Sequence, residues 1–253
     1  MALLNNELYV LCQRSDNQID VYSTINFTLL RHLSFSGGTC TDAAIAACPR
    51  KRCLYVLNYS VVHRLGLDGS ESKWPLLPAL SPLSMSVTPS TQVLVLGTCG
   101  NEDGRGEVGK LVFLSSENGE CVRTITPEVD PNDFVLLHCI QIKDDQYLLA
   151  YDNHEERFNG TISLLDGEGK VLRSTRAEDS MHFPVCMAVD SDQFVLVCNV
   201  FGQCILLFDP RLDFVCNLTE GIEVKPQGLV FDEFTRRLYI LDSHHDTVAI
   251  VQL

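Results

Sequence analysis

The sequence is short of basic charge, of long apolar runs and of helical periodicity, and each shortage excludes a class of protein. Lysine and arginine number 19 against 33 aspartates and glutamates in 253 residues, giving a net charge of −14 and a pI near 4.8. That balance disfavours nucleic acid and anionic membrane as partners, because phosphate binding rests on clustered Lys and Arg. The longest apolar runs, such as Phe134 to Leu137 and Ile205 to Phe208, have strand length, far below the roughly 18 residues a spanning helix requires. The opening MALLNNELYV has neither a basic start nor an apolar stretch followed by a cleavage site, so we read no signal peptide. No Gly-x-Ser-x-Gly elbow occurs, and Ser, His and Asp are too scattered to suggest a catalytic triad. What is present is an apolar content of 45%, enough to exclude disorder and, at this length, to fold without disulfides or metal.

The eleven cysteines are odd in number and form no Cys-x-x-Cys pair; Cys12, Cys53, Cys139, Cys186, Cys198 and Cys204 sit inside apolar strand-like runs. Reduced thiols acting as small hydrophobes in a cytoplasmic protein are the expectation. Asn26, Asn58, Asn159 and Asn217 each head an Asn-x-Ser/Thr sequon, which keeps open the alternative of a secreted protein.

Fold class follows from an internal repeat. Six segments share one shape: ELYVLC from Glu7, CLYVLN from Cys53, QVLVLG from Gln92, QYLLAY from Gln146, FVLVCN from Phe194 and RLYILD from Arg237. Each precedes a second strand-like run (QIDVYS, VVHRLGL, KLVFLS, TISLLD, CILLFD, TVAIVQ), and most of those end in a turn such as LDGSE, SENGE, LDGEGK or DPRLD. Asp-Gly and Asn-Gly supply the positive φ of tight hairpins. With a further run on either side, each unit holds four short antiparallel strands, which predicts an all-β, six-bladed β-propeller of four-stranded blades. The single domain 1–253 divides into blades at about 1–35, 36–78, 79–128, 129–178, 179–222 and 223–253. Met1 to Leu4 could be the inner strand of blade one or could close the ring on blade six, nothing supplies an outer strand after Leu253, and five or seven blades stay open.

The segments PVCMAVDSDQFVLVCNVFGQCILLFDP (Pro184 to Pro210) and PQGLVFDEFTRRLYILDSHHDTVAIVQL (Pro226 to Leu253) resemble NHL repeats. Asp152 and Asp242 stand where such repeats often end the second strand with Asp; Asn58, Gly97 and Asn199 depart from that pattern. Propellers related to this family include protein-recognition and RNA-binding domains and calcium-dependent lactonases and lyases, so the resemblance implies the fold without choosing the function.

Propeller topology sorts every loop to one of two rims. The rim bearing the connections from second to third strand and from each fourth strand to the next blade carries fourteen acids against five bases (Arg14, Arg105, Arg157, Arg176, Lys225). Two of its loops exceed hairpin length: Thr98 to Val108, with Glu102, Asp103, Arg105 and Glu107, and Asn153 to Asn159, with Asn153, His154, Glu155 and Glu156. Long loops on a compact scaffold are disproportionately binding elements. His244, His245 and Asp246 form a hairpin on the same rim, where carboxylates favour the imidazolium. GNEDGRG lacks the ligand spacing of an EF-hand and the Lys-Ser/Thr of a P-loop.

The sequence therefore predicts an interaction propeller, not an enzyme on balance and without a cofactor, that binds a protein partner with a basic surface through these eleven residues. A metal-dependent hydrolase, lactonase or lyase is the alternative. It would hold a divalent cation at the central channel, with Asp42, Asp133, Asp152, Asn199 and Asp242, or His138, Cys139, His182 and Cys186, nearby. A carbohydrate-binding propeller is the third reading.

Overall fold

A computed structural model describes residues 1–12, 18–36, 44–100, 106–153, 160–175 and 181–253. Among them there is no helix, and hence none long and apolar enough to cross a membrane. Twenty-three antiparallel strands form six sheets. Blade one holds β1 (Ala2–Leu4), β2 (Glu7–Cys12), β3 (Gln18–Ser23) and β4 (Leu29–Ser34). Blade two holds β5 (Ala44–Cys48), β6 (Cys53–Asn58), β7 (Val61–Gly66) and β8 (Glu71–Pro75), and blade three β9 (Ser81–Val87), β10 (Val93–Gly100), β11 (Glu107–Leu114) and β12 (Cys121–Ile125). Blade four holds β13 (Phe134–Lys143), β14 (Gln146–Asn153), β15 (Gly160–Leu165) and β16 (Val171–Thr175). Blade five holds β17 (Pro184–Val189), β18 (Val195–Asn199), β19 (Cys204–Phe208) and β20 (Phe214–Asn217). Blade six ends at three, β21 (Pro226–Asp232), β22 (Arg237–Asp242) and β23 (Thr247–Gln252).

The chain is thus the all-β, six-bladed propeller that its repeats predict. The first run is settled: Ala2 lies opposite Tyr9 and Leu4 opposite Glu7, so β1 is the inner strand of blade one. Blade six has no fourth strand among the described residues.

In blades two, three, five and six the second strand is the most buried element, as in CLYVLN and VLVCN, where every residue is buried. Strands covered on both faces read as continuous apolar runs, which is why these six segments stand out in the sequence. Alternate residues feed opposite faces of the blade. Leu54 and Val56 pack toward blade one, while Cys53, Tyr55 and Leu57 pack toward blade three. Five apolar clusters cement the five successive blade pairs in this way. At the closing seam between blades six and one, Arg237 Nη1 donates to Thr24 O at 3.1 Å and the guanidinium stacks 5.5 Å from the Phe27 ring centroid.

The turn chemistry is also as predicted. Asp68, Asp166 and Asp209 each accept main-chain N–H bonds from residues two or four ahead, at 2.8–3.0 Å. Gly69 and Gly169 supply positive φ, as does Gly119, whose hypothetical Cβ would lie 2.1 Å from Trp74 Cγ.

Candidate functional site

The rim that carries the acidic loops is assembled from the C-terminal ends of second and fourth strands and the N-terminal ends of third and first strands. Of the predicted residues, Glu102, Asp103, Arg105, His154, Glu155 and Glu156 lie outside the described residues, as does Asp42. The loop bounds need correction. β10 continues to Gly100, which pairs with Glu107, and Asn153 is the last residue of β14, opposite Phe134. Thr98 to Gly100, Glu107 to Val108 and Asn153 are therefore strand, because a β-ladder extends as long as both edges have a partner.

Glu107 stands at one wall of a cleft of about 270 Å³ between blades three and four, whose opposite wall is the connection from Pro127 to Asn132. Asn132 fastens the two walls. Its Oδ1 accepts the Glu107 amide at 3.2 Å, and its Nδ2 donates to Glu107 O at 3.2 Å and to Asp130 Oδ1 at 2.6 Å. The main-chain and side-chain N–H groups of Asn132 hold the Asp130 carboxyl below its ordinary range. Glu128 is positioned by its own amide, which donates to Gly169 O at 2.9 Å. Glu107, Glu128 and Asp130 are all exposed at the mouth, and no Lys or Arg lines the cleft. Three carboxylates that share one concavity sum their fields, so the cleft suits a cation or a cationic side chain.

The aspartates and asparagines ending the second strands serve another purpose. Asp242 Oδ1 accepts the amides of Lys225 and His244, both at 3.0 Å, and Oδ2 meets His245 Nδ1 at 2.6 Å. Burial alone would raise the Asp242 pKa, but the bonds from His245, Lys225 and His244 outweigh it and bring it down to about 2. Asn199 Oδ1 accepts the His182 amide at 2.7 Å, and Asp152 Oδ2 accepts the Phe183 amide at 2.9 Å. All three side chains are buried. Each ties the chain entering a blade to the end of a second strand, satisfying main-chain donors that would otherwise be buried unpaired. Asp133, by contrast, is exposed at the end of the connection into blade four, immediately before β13.

Three of the four channel candidates have structural surroundings. His138 Nδ1 accepts the Met187 amide at 3.3 Å, and burial pushes its pKa down to about 4, so it is neutral at pH 7. Cys139 lies in the apolar core with its thiol pushed up by burial, and Cys186 Sγ contacts Leu229 O at 3.9 Å. None of the ten described cysteines is bonded to another. No group of three or more His, Cys, Asp or Glu able to hold a metal occurs among the described residues. In the blade-six hairpin the His244 and His245 rings lie with centroids 4.5 Å apart and planes inclined at 58°, and Asp246 is exposed at positive φ.

Two exposed aromatic residues on this rim escape the sequence reading. Tyr59 and Phe201 follow Asn58 and Asn199 by one and two residues, and both are 54% exposed. They look like part of the apolar repeat in sequence; the signal that could have found them is their place just past the Asn that ends the second strand.

No family profile matches the chain, and no curated protein matches it in sequence. Similar solved structures include β-propeller domains. The WD40 β-propeller domain of Doa1 shares 10% identity, with 98% of this chain and 90% of that chain covered and a TM-score of 0.61. The β-propeller domain of Cps50 (Swd1) from Myceliophteria thermophila shares 14% identity, with 98% and 83% covered and a TM-score of 0.61. A protein of unknown function from Bacteroides caccae shares 14% identity, with 95% and 85% covered and a TM-score of 0.68. These likenesses concern the fold.

Proposed function

We propose that the chain is a non-enzymatic interaction module, with blades five and six of the NHL type, that holds a protein partner with a basic surface against its acidic rim. The observation that carries this reading is the cleft between blades three and four, where Glu107, Glu128 and Asp130 surround one concavity and Asn132 fixes its walls. Apart from the buried Asp152 and Asp242, the seven described acids of that rim are exposed, with Lys225 their one described basic companion. A rigid disc presents such groups with little ordering cost, which is the preorganisation that binding rewards. Tyr59 and Phe201 supply the aromatic anchors on which binding energy concentrates, and the carboxylates supply steering. One oxygen of Asp152, the side-chain oxygen of Asn199 and one oxygen of Asp242 are spent on main-chain amides, and the second Asp242 oxygen meets His245, which favours this reading over cation-assisted hydrolysis at the channel mouth.

The test is capture of partners from a cell extract at low and moderate salt with the natural chain and with Glu107→Gln, Glu128→Gln, Asp130→Asn combined. Amides keep the shape and one acceptor oxygen each while removing three charges. Loss of a salt-sensitive set of partners is expected; the same partners with the same salt sensitivity would refute the proposal.

A further inference from the structure

Blade two departs from blades one and four in what stands beside its second-strand tyrosine, away from the acidic rim and independently of it. In blade one Arg31 donates to both oxygens of Glu7 at 2.7 Å and contacts the Tyr9 hydroxyl at 3.3 Å; that hydroxyl donates to Glu7 at 2.5 Å. Blade four holds the same trio. Arg123, from the outer strand of blade three, donates to Asp145 at 2.6 Å and contacts the Tyr147 hydroxyl at 3.5 Å. In both blades the acid stands two residues before the tyrosine.

Blade two has the tyrosine and the arginine without the acid. Tyr55 and Arg64 lie opposite each other on β6 and β7, and the residue two before the tyrosine is Cys53. The Tyr55 hydroxyl and Arg64 Nε are both buried with no hydrogen-bond partner. An unpaired tyrosine hydroxyl is not distinctive, because Tyr239 of blade six has one as well; the guanidinium nitrogen is, since a buried donor on a charged group is costly to leave without an acceptor. Both groups act on Cys53: burial pushes its thiol up, and Tyr55 and Arg64 draw it partway back. A second thiol faces it across the ladder. Cys48 is the direct partner of Cys53 at the last rung of β5 and β6, and both side chains sit in one buried cluster. Directly opposed residues of an antiparallel pair have Cα atoms about 4.5–5.5 Å apart, within the roughly 4.4–6.8 Å that a disulfide spans.

We infer that Cys53 and Cys48 are a peroxide-reactive dithiol, in which Arg64 and Tyr55 hold the oxygen that oxidation places on Cys53. The Cys53 thiolate attacks hydrogen peroxide: an S–O bond forms, the O–O bond breaks, sulfur gives up two electrons, and the departing hydroxide leaves as water with the thiol proton. The sulfenic oxygen offers Arg64 and Tyr55 the acceptor that Glu7 offers Arg31 and Tyr9. Cys48 then attacks the Cys53 sulfur; the S–S bond forms as the S–O bond breaks, and the oxygen leaves as a second water with the Cys48 proton. Two thiols and one peroxide become one disulfide and two waters. The bridge staples the hairpin whose Lys51 pairs with Glu117 of blade three. Both thiols are at most 1% exposed, so the reaction is slow and favours an oxidant as small as hydrogen peroxide.

The test treats the full, reduced, folded chain with hydrogen peroxide, blocks the remaining thiols with iodoacetamide, digests with trypsin without reductant and reads the peptides by mass spectrometry. Trypsin cuts after Arg50, Lys51 and Arg52, so the Cys48 and Cys53 peptides stay joined only through the bridge. A joined pair that dithiothreitol separates is expected, and in Cys48→Ser a dimedone adduct on Cys53 in its place. Arg64→Gln should slow oxidation of Cys53 about tenfold and Arg64→Lys restore part of it, with the exposed Cys121 of the same chain as the reference thiol. Tyr55→Phe, which keeps the ring, should slow it several-fold and keeps the test decisive should Arg64→Gln disturb the fold. Cys186 and Cys198, also directly opposed but influenced by no described arginine, are the comparison pair. The inference is overturned if the folded chain forms no Cys48–Cys53 bridge, if the Cys53 peptide stays joined to the same partner in Cys48→Ser, if Cys186 and Cys198 bridge as fast, or if neither Arg64→Gln nor Tyr55→Phe changes the rate.

Discussion

The two rims of the disc use the same residue types for opposite ends. On the rim of short hairpins, aspartate is consumed locally: Asp68, Asp166, Asp190, Asp209 and Asp232 each accept main-chain amides within their own turn. On the other rim Asp130, Asp152 and Asp242 also accept main-chain amides and Glu128 accepts that of Val171 at 3.3 Å, whereas Glu107, Asp133, Glu220, Glu223 and Asp246 stand exposed. A carboxylate that closes a turn is a structural element, and one left free on a rigid frame is available to a partner. Acid content alone therefore does not locate function; hydrogen-bond employment does.

The sharpest way to break this contrast is to remove a fastener. Asp242→Ala leaves the amides of Lys225 and His244 without their acceptor in a buried setting, and should cost about 3 kcal/mol, read from denaturant unfolding. On the hairpin rim, Gly119→Ala forces a Cβ into the Trp74 ring at a φ of +75° and should cost about 2 kcal/mol in the same experiment.

Acid should act on the frame in two windows. His138, with a pKa lowered to about 4 from an unfolded value near 6.5, takes up its proton more readily in the unfolded chain, so stability falls as pH drops from about 6.5 to about 4, by about 3 kcal/mol. Asp242, lowered to about 2, contributes stability above its unfolded pKa near 4 that is lost as pH falls towards 2. Melting temperature against pH should show both limbs, and His138→Asn, which keeps an acceptor for Met187, should remove the upper one. The smallest effect belongs to the exposed acids: converting Glu107, Glu128 and Asp130 to amides should leave the melting temperature unchanged.

The sequence disclosed the frame because the frame is local and repeated. Six buried second strands announce themselves as apolar runs, and the Asp-Gly and Asn-Gly turns announce the hairpins. Ring closure was not legible, since Ala2–Leu4 could pair with either neighbour and only the register with β2 decides it. Asp152, Asn199 and Asp242 read equally well as cation ligands or as fasteners, because their partners, Phe183, His182 and Lys225, are main-chain amides 31, 17 and 17 residues away that leave no side-chain signature. The cleft was half legible: Glu107 was singled out, whereas Glu128, Asp130 and Asn132 meet it only through the packing of blade three against the entry to blade four. Tyr59 and Phe201 were hidden inside runs that look uniformly buried.

The central claim is that the acidic rim, rather than acidity in general, holds the partner. It is tested most directly by comparing Glu107→Gln, Glu128→Gln, Asp130→Asn with Asp144→Asn, Glu168→Gln, Asp192→Asn, three exposed acids of the hairpin rim, at equal net charge in quantitative capture across a salt series. Loss of the salt-sensitive partners from the first variant alone is the result expected; equal loss from both, or from neither, would contradict the account.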